Sequence, residues 1–260
     1  MQGFTFPSTK EKLPLVGLGT HQIKQDYYYI RKAISLGYTI IDTAENYQEG
    51  KAEEAVGKAI KSFDRTKLFI ISKVSPNHLK YGDLIKSSIS SVQRLDTFID
   101  LYLIHMPNKS VSLEESFSAM KKLQERHIIR FYGVSNFELE DFKKTIKFGI
   151  KANQHEFSLI YRYYEDELNF CLNKNILFLA YRPLSHGELL GVRYDEIFKP
   201  FVAKYKKSKS QIALRWIIEK RALPIVGSNN IEHLKENLDV NWEIEKEDII
   251  KLDKIFKKLI

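Results

Sequence analysis

Eight short apolar runs, separated by longer segments of helical periodicity, constrain this chain more than any other feature of its sequence. The runs are LPLVGLGTH (13–21), YTIIDTAE (38–45), KLFIISKV (67–74), FIDLYLIHM (98–106), IRFYGVSN (129–136), ANQHEFS (152–158), NILFLAYRPL (175–184) and LPIVGSN (223–229). Most are apolar at consecutive positions, as parallel strands covered on both faces are. Between them apolar residues recur every three or four positions, most clearly in YGDLIKSSISSVQRLD (81–96) and LEESFSAMKKLQER (113–126). No Pro-, Gly- or Ser-rich linker interrupts the series, so eight such pairs in 260 residues fit a closed barrel better than an open doubly wound sheet. The expected fold is α/β: a single (β/α)8 TIM barrel domain over residues 1–260. FTFPSTKEKLPLVG (4–17) is expected to form a hairpin capping the barrel bottom, and the patterns at 195–207 and 245–258 to form extra helices near the C-terminus. The glycines of GLGT (17–20) do not open a dinucleotide-binding turn, because the third glycine is missing and no helix follows at once.

Hydrophobic residues at 43% and charged residues at 28% exclude disordered and fibrous classes. Runs such as IDLYLI (99–104) fall far short of the roughly 20 residues that span a bilayer, so no membrane partner is expected. MQGFTFPSTKEKLP (1–14) has no basic segment leading into a long apolar one, which makes a cytoplasmic location the expectation. The one cysteine, Cys171, fits a reducing compartment and reads as a small buried hydrophobe. No metal is expected, since His21, His78, His127, His155 and His186 lack paired ligand spacing. Trp216 reads as core, and Tyr27, Tyr28 and Tyr29 as packing at a helix start. An excess of 41 Lys and Arg over 33 Asp and Glu suits either nucleic acid or an anionic small molecule. Scattering of these charges over the predicted helices argues against nucleic acid. The one dense cluster, KYKKSKS (204–210), reads as a solvated helix end or a phosphate contact.

In a parallel barrel the functional residues gather at the C-terminal ends of the strands. Asp42 ends the second run, Lys73 the third and His105 the fourth; Ser135 and Asn136 end the fifth, Gln154 lies in the sixth and Tyr181 closes the seventh. Tyr47 follows Asp42 on the next loop. A phenol, with an ordinary pKa of about 10, is a reluctant acid near neutrality. A neighbouring ammonium lowers that value, and a carboxylate keeps the ammonium charged and aimed. Asp42 is therefore expected to hold Lys73, and Lys73 to tune Tyr47 for delivering a proton to a developing alkoxide. His105 would orient the carbonyl oxygen. No side chain donates a hydride, so a cofactor is required. Ser135, Asn136 and Gln154 can hydrogen-bond a carboxamide, and Tyr181 offers a flat face for a nicotinamide. GSNNIEHLKENL (227–238) places backbone N–H groups at a helix start, where a phosphate would fit.

The chain resembles the aldo-keto reductase family from LPLVGLGTH to HLKENL. GYTIIDTAENY, VGKAI, LFIISKV, IDLYLIHMP, YGVSNF, NQHEFS, AYRPL and QIALRW fall in family order at family-like spacing. The resemblance implies the same barrel and an oxidoreductase that reduces aldehydes and ketones with NADPH, usually without a metal. It implies a tetrad of Asp42, Tyr47, Lys73 and His105 with Tyr47 as general acid, nicotinamide contacts at Ser135, Asn136 and Gln154, and Tyr181 stacked on the ring. Further cofactor contacts carry over to Gly19, Thr20, Asp42, Leu184, Gly227, Ser228, Asn229, His233, Glu236 and Asn237. Arg182 either touches the pyrophosphate or caps the rim. The substrate pocket would comprise His21, Tyr47 and His105.

Two departures bear on specificity. Many family members carry a lysine and an arginine on the 2′-phosphate where this chain has Gly227 and His233. NADPH remains the expected cofactor, because His233 or nearby lysines can substitute, and NADH is the alternative. His21 replaces a common pocket tryptophan, and the chain ends at Ile260 without a long C-terminal loop, so an open pocket tolerant of many carbonyl substrates is expected. A monomer is the expected state. Two rival readings remain: a cofactor-binding regulatory or scaffold protein with this fold, against which the complete tetrad argues, and a phosphate-substrate isomerase, which leaves Tyr47 and Lys73 without a role.

Overall fold

Successive residues of a strand face opposite sides, so a closed sheet sorts each strand into an inward and an outward set. The structure, a computed structural model, describes residues 3–21 and 27–257. Its barrel strands are β3 (Gly17–Gly19), β4 (Ile40–Asp42), β5 (Phe69–Val74), β6 (Ile99–Ile104), β7 (Ile129–Ser135), β8 (Ala152–Glu156), β9 (Leu177–Tyr181) and β10 (Leu223–Val226). All pair in parallel in chain order, and β10 closes on β3. Ile40, Phe69, Ile71, Leu101, Leu103, Ala152, Leu177, Leu179, Leu223 and Ile225 form the interior core. Their strand neighbours Ile41, Ile70, Tyr102, Ile104, Phe178, Ala180 and Val226 belong to a second core, under the helices.

Those helices are α1 (Tyr27–Leu36), α2 (Lys51–Ile60), α3 (Tyr81–Leu95), α4 (Leu113–Glu125), α5 (Leu139–Thr145), α6 (Glu165–Lys174), α7 (Asp195–Tyr205), α8 (Lys209–Glu219), α9 (Ile231–Leu238) and α10 (Lys246–Lys257). The two predicted extra helices are α7 and α10; residue 258 of the predicted range lies outside the described residues. On α3 the buried face carries Ser87, Ser88 and Ser91 between Leu84 and Leu95, small side chains that let α2 approach. At that crossing a Cβ on Gly57 would lie 2.5 Å from the Arg94 carbonyl oxygen, so only glycine fits.

The barrel floor is closed by the hairpin β1 (Phe4–Thr5) and β2 (Lys12–Leu13), as the sequence suggests. Phe6, fully buried between its strands, packs on Phe69 and Phe131 at ring separations of 5.2 and 4.6 Å. Buried Asp100 accepts from Arg65, Arg130 and the Ile70 N–H, and Arg130 also reaches Glu11 of the hairpin. That leaves the opposite, C-terminal end of the barrel open. Cys171 and Trp216 are buried, the indole N–H donating to Asp253 at 3.0 Å.

Candidate active site

The inward parity of the strands carries straight into the site. Two residues beyond interior Ile40, Ile71, Leu103, Ala152 and Leu179 come Asp42, Lys73, His105, Gln154 and Tyr181. The same alternation that fills the barrel with aliphatic side chains thus puts polar ones on top of them. Tyr47 arrives differently. Gln48 and Glu49 both take left-handed backbone (φ 50° and 58°), followed by Gly50 at φ 88°, and this reversal seats the phenol beside the strand ends before α2 begins.

Lys73 is fully buried, and its ammonium donates to Asp42 Oδ1 (2.7 Å), the Thr43 carbonyl (2.8 Å) and the Tyr47 hydroxyl (3.2 Å). Asp42 Oδ2 accepts from Gln154 Nε2 at 2.8 Å, so the carboxylate is gripped from two strands. Burial opposes the ammonium charge, but the Asp42 carboxylate and the Tyr47 oxygen outweigh it and hold the Lys73 pKa above its ordinary value. The sequence expectation that Lys73 brings the phenol down toward neutrality is corrected here. Burial dominates at Tyr47 and raises its pKa, Lys73 pulls against it, and Asp42 adds to the rise. The resting pair is a neutral phenol beside a charged ammonium.

Two imidazoles stand edge-on to that phenol: His21 at 4.7 Å and 78° between ring planes, and His105 at 5.8 Å and 74°. Burial, then the charges of Lys73 and His21, push the His105 pKa down to about 3, so its ring is neutral. His105 Nδ1 is buried without a hydrogen-bond partner. Its carbonyl accepts from Asn136 Nδ2 at 2.9 Å. Asn136, in left-handed backbone at φ 60°, also donates to Ser135 Oγ (3.0 Å) and accepts from the Tyr181 hydroxyl (2.9 Å). Ser135 Oγ donates to the Gln154 carbonyl at 3.0 Å. Burial pushes the Tyr181 phenol up to about 12.

A cavity of about 780 Å³ opens over these residues, within the range of small-molecule and cofactor sites. Gly19, His21, Asp42, Tyr47, His105, Ser135, Asn136, Gln154, Tyr181, Arg182 and Leu184 line it, together with Gly227, Ser228, His233, Glu236 and Asn237. Lys73 stands behind this wall. Two sequence expectations do not reach it. Thr20 is buried with its hydroxyl donating to the Asp42 carbonyl at 3.0 Å, so it pins the end of β4, and Asn229 is not on the wall. Arg182 lines the cavity while ion-pairing with Glu156 at 3.0 Å. At the start of α9, two of the N–H groups expected to face a phosphate already have partners: Asn230 N–H donates to Ser228 Oγ (3.1 Å) and Glu232 N–H to Asn230 Oδ1 (2.9 Å).

Sequence reasoning passed over Met106, His186, Ser208, Lys209 and Ser210 as wall residues. For the last three there was a signal: the KYKKSKS cluster ends in a capping box at Ser208 and Gln211 that fixes the start of α8. Ser210 Oγ donates to Glu236 at 3.0 Å and ties α8 to α9, while the Lys209 ammonium lies 2.6 Å from Asp195.

The family model of the Aldo/keto reductase family matches residues 16–257. A glyoxal reductase of Bacillus subtilis is 34% identical over 257 residues, covering 95% of this chain and 90% of that protein. Among solved structures, a thermostable aldo-keto reductase, Tm1743, in complex with the inhibitor epalrestat superposes with a TM-score of 0.93 at 35% identity, covering 98% of this chain and all (100%) of that one. An aldo/keto reductase from Klebsiella pneumoniae in complex with NADP and acetate gives 0.89 at 29% identity, covering 98% and 95%. With its barrel, the ring of polar side chains at the strand ends and this agreement along nearly its whole length, the chain belongs to the aldo/keto reductase family and is an NAD(P)H-dependent oxidoreductase that reduces carbonyl groups.

Proposed function

We propose that the protein reduces aldehydes and ketones to alcohols with NADPH, accepting a range of small carbonyl substrates, with Tyr47 as the proton donor. The observation that carries this reading is the three-way contact of the Lys73 ammonium with Asp42, Thr43 and Tyr47. The cofactor, when bound, supplies the hydride that adds to the carbonyl carbon. Ser135, Asn136, Gln154 and the face of Tyr181 form the wall suited to its nicotinamide, and Gly227, Ser228, His233 and Asn237 the wall suited to its adenosine half. The NADP of the Klebsiella neighbour supports NADPH, and the name of the Bacillus relative supports small reactive aldehydes.

A substrate carbonyl oxygen placed between Tyr47 and His105 takes hydrogen bonds from the phenol and the neutral imidazole. As the oxygen becomes an alkoxide, the O–H bond of Tyr47 breaks and its proton passes to that oxygen. An alkoxide is a far stronger base than a phenolate, so the transfer runs downhill even from a phenol of raised pKa. Lys73 then stabilises the phenolate left behind, and Asp42, held by Gln154, keeps the ammonium charged and aimed. NADPH absorbance followed with a panel of short aldehydes tests the reading, with NADH run in parallel. Turnover with NADPH is expected; binding of NADPH with no turnover of any aldehyde would favour the scaffold reading instead.

A further inference from the structure

The phenol of Tyr47 serves only at the right distance from Lys73, and the two side chains arrive on different elements. Lys73 lies within β5, whereas Tyr47 lies on the loop that leaves β4 after Asp42. Past the last paired residues of these strands, Asp42 and Ile71, the loop stays joined to β5 through its backbone. Thr43 N–H donates to the Ile71 carbonyl at 2.9 Å and Glu45 N–H to the Lys73 carbonyl at 3.3 Å. A further rung of a parallel ladder would put the Ser75 N–H on the Glu45 carbonyl. That N–H instead donates to the Glu45 side chain, at 2.5 Å from Oε1. Glu45 therefore grips β5 on both sides of Lys73, with its N–H and with its carboxylate, while its own backbone leaves the ladder. The Ala44 carbonyl then accepts the Tyr47 N–H at 3.1 Å, in the turn that starts the return of the phenol.

The carboxylate is held from two more elements. His78, on the turn Pro76–His78, sets its ring Nδ1 2.9 Å from Oε1, and Ser87 of α3 donates to Oε2. With the Glu45 side chain only 8% exposed, three donors fix it in one place. None of Glu45, Ser75, His78 and Ser87 lines the cavity, so contact with substrate or cofactor does not account for the cluster. We infer that Glu45 is a positioning residue for the proton donor. By taking the Ser75 N–H in place of its own carbonyl, it lets the backbone turn toward Tyr47 without releasing the strand that carries Lys73, and so sets the 3.2 Å contact of ammonium and phenol. This rests on the reading of Tyr47 as the proton donor.

The rate of the first turnover, after the complex with NADPH is mixed with a saturating short aldehyde, reads the step in which Tyr47 acts. Glu45→Met keeps the length of the side chain and removes the acceptor; Glu45→Gln keeps an oxygen for the Ser75 N–H. The methionine variant is expected to be slower by about ten- to a hundredfold, as displacement of a reacting group by about 1 Å makes it. The glutamine variant should recover to within about threefold of the parent, and the dissociation constant of NADPH, from fluorescence titration, should stay within about twofold in both. Ser75→Pro breaks the same contact from the other side: Ser75 has φ −60°, which proline adopts, so the N–H goes and Glu45 stays, with Ser75→Ala as the control for the hydroxyl. The proline variant should be the slower of that pair. A folded methionine variant as fast as the parent, beside a slow Tyr47→Phe, would overturn the inference alone. Should the methionine variant fail to fold, equal rates for the proline and alanine variants would overturn it. A Tyr47→Phe enzyme as fast as the parent would remove the proton-donor reading and this inference with it.

Discussion

Replacing Lys73 with methionine keeps most of the side-chain volume and deletes the charge at the centre of the site. The Lys73 side chain is 1% exposed and that of Asp42 5%, so both charges are almost wholly withdrawn from water. In the variant, Asp42 Oδ1 and the Thr43 carbonyl both lose their donor, and the carboxylate retains only Gln154. Breaking a buried ion pair from one side costs about 3–5 kcal/mol, because the remaining charge is uncompensated. Asp42→Asn breaks the same pair from the other side and leaves the ammonium unpaired. The double variant removes both charges, so its loss should fall short of the sum of the single losses by about 2 kcal/mol. Urea unfolding read by tryptophan fluorescence suits the measurement, since Trp216 is fully buried. Single losses below about 1 kcal/mol that add in the double variant would refute the reasoning, for surface ion pairs behave that way.

Other outcomes follow from the same geometry. Gly57→Ala gains helix propensity of about 1 kcal/mol, but its Cβ would meet the backbone oxygen of Arg94 at 2.5 Å and that of Leu95 at 2.8 Å; a net loss of stability is expected, seen as a lower unfolding midpoint. His105 has a folded pKa of about 3 against an ordinary 6.5, so the unfolded chain takes up a proton that the folded protein refuses as pH falls below 6.5. Its contribution is therefore complete above pH 6.5 and lost on the way to pH 3, and urea midpoints for His105→Asn should fall less steeply over that range than those of the parent. Lys73 has the opposite sign. Its raised pKa adds stability that is complete below its unfolded value of about 10.4 and disappears at higher pH, a decline that Lys73→Met should lack.

The sequence carried the barrel because its strands announce themselves twice, by consecutive apolar residues and by the polar residue that ends each one. Asp42, Lys73, His105, Gln154 and Tyr181 were legible as a ring for the same reason: two-residue parity from an interior aliphatic is a property of the strand alone. Loop geometry left no such trace. The left-handed pair Gln48 and Glu49, which seats Tyr47, has no glycine or asparagine at either position, so the sequence placed the phenol on the loop after Asp42 without showing the turn that brings it back. For Thr20 the motif supplied a position but not its local partner, the Asp42 carbonyl to which its hydroxyl donates. The sign of the Tyr47 shift was misread because spacing reveals a neighbouring charge but not how far burial outweighs it. The KYKKSKS cluster marked the wall residues of α8, but their partner could not be read from the chain: Ser210, in the first turn of α8, meets Glu236 in the last turn of α9.

The central claim is that the hydroxyl of Tyr47 supplies the proton. Tyr47→Phe removes that atom, leaves Lys73 its contacts with Asp42 and Thr43, and keeps a ring between His21 and His105. Steady-state reduction of a short aldehyde, measured on this variant beside its unfolding midpoint, is the direct test. The account predicts a kcat lower by about 10²–10⁴-fold, with stability changed by no more than about 1.5 kcal/mol. A folded variant whose kcat stays within about threefold of the parent, equivalent to less than about 0.7 kcal/mol of barrier, would contradict it.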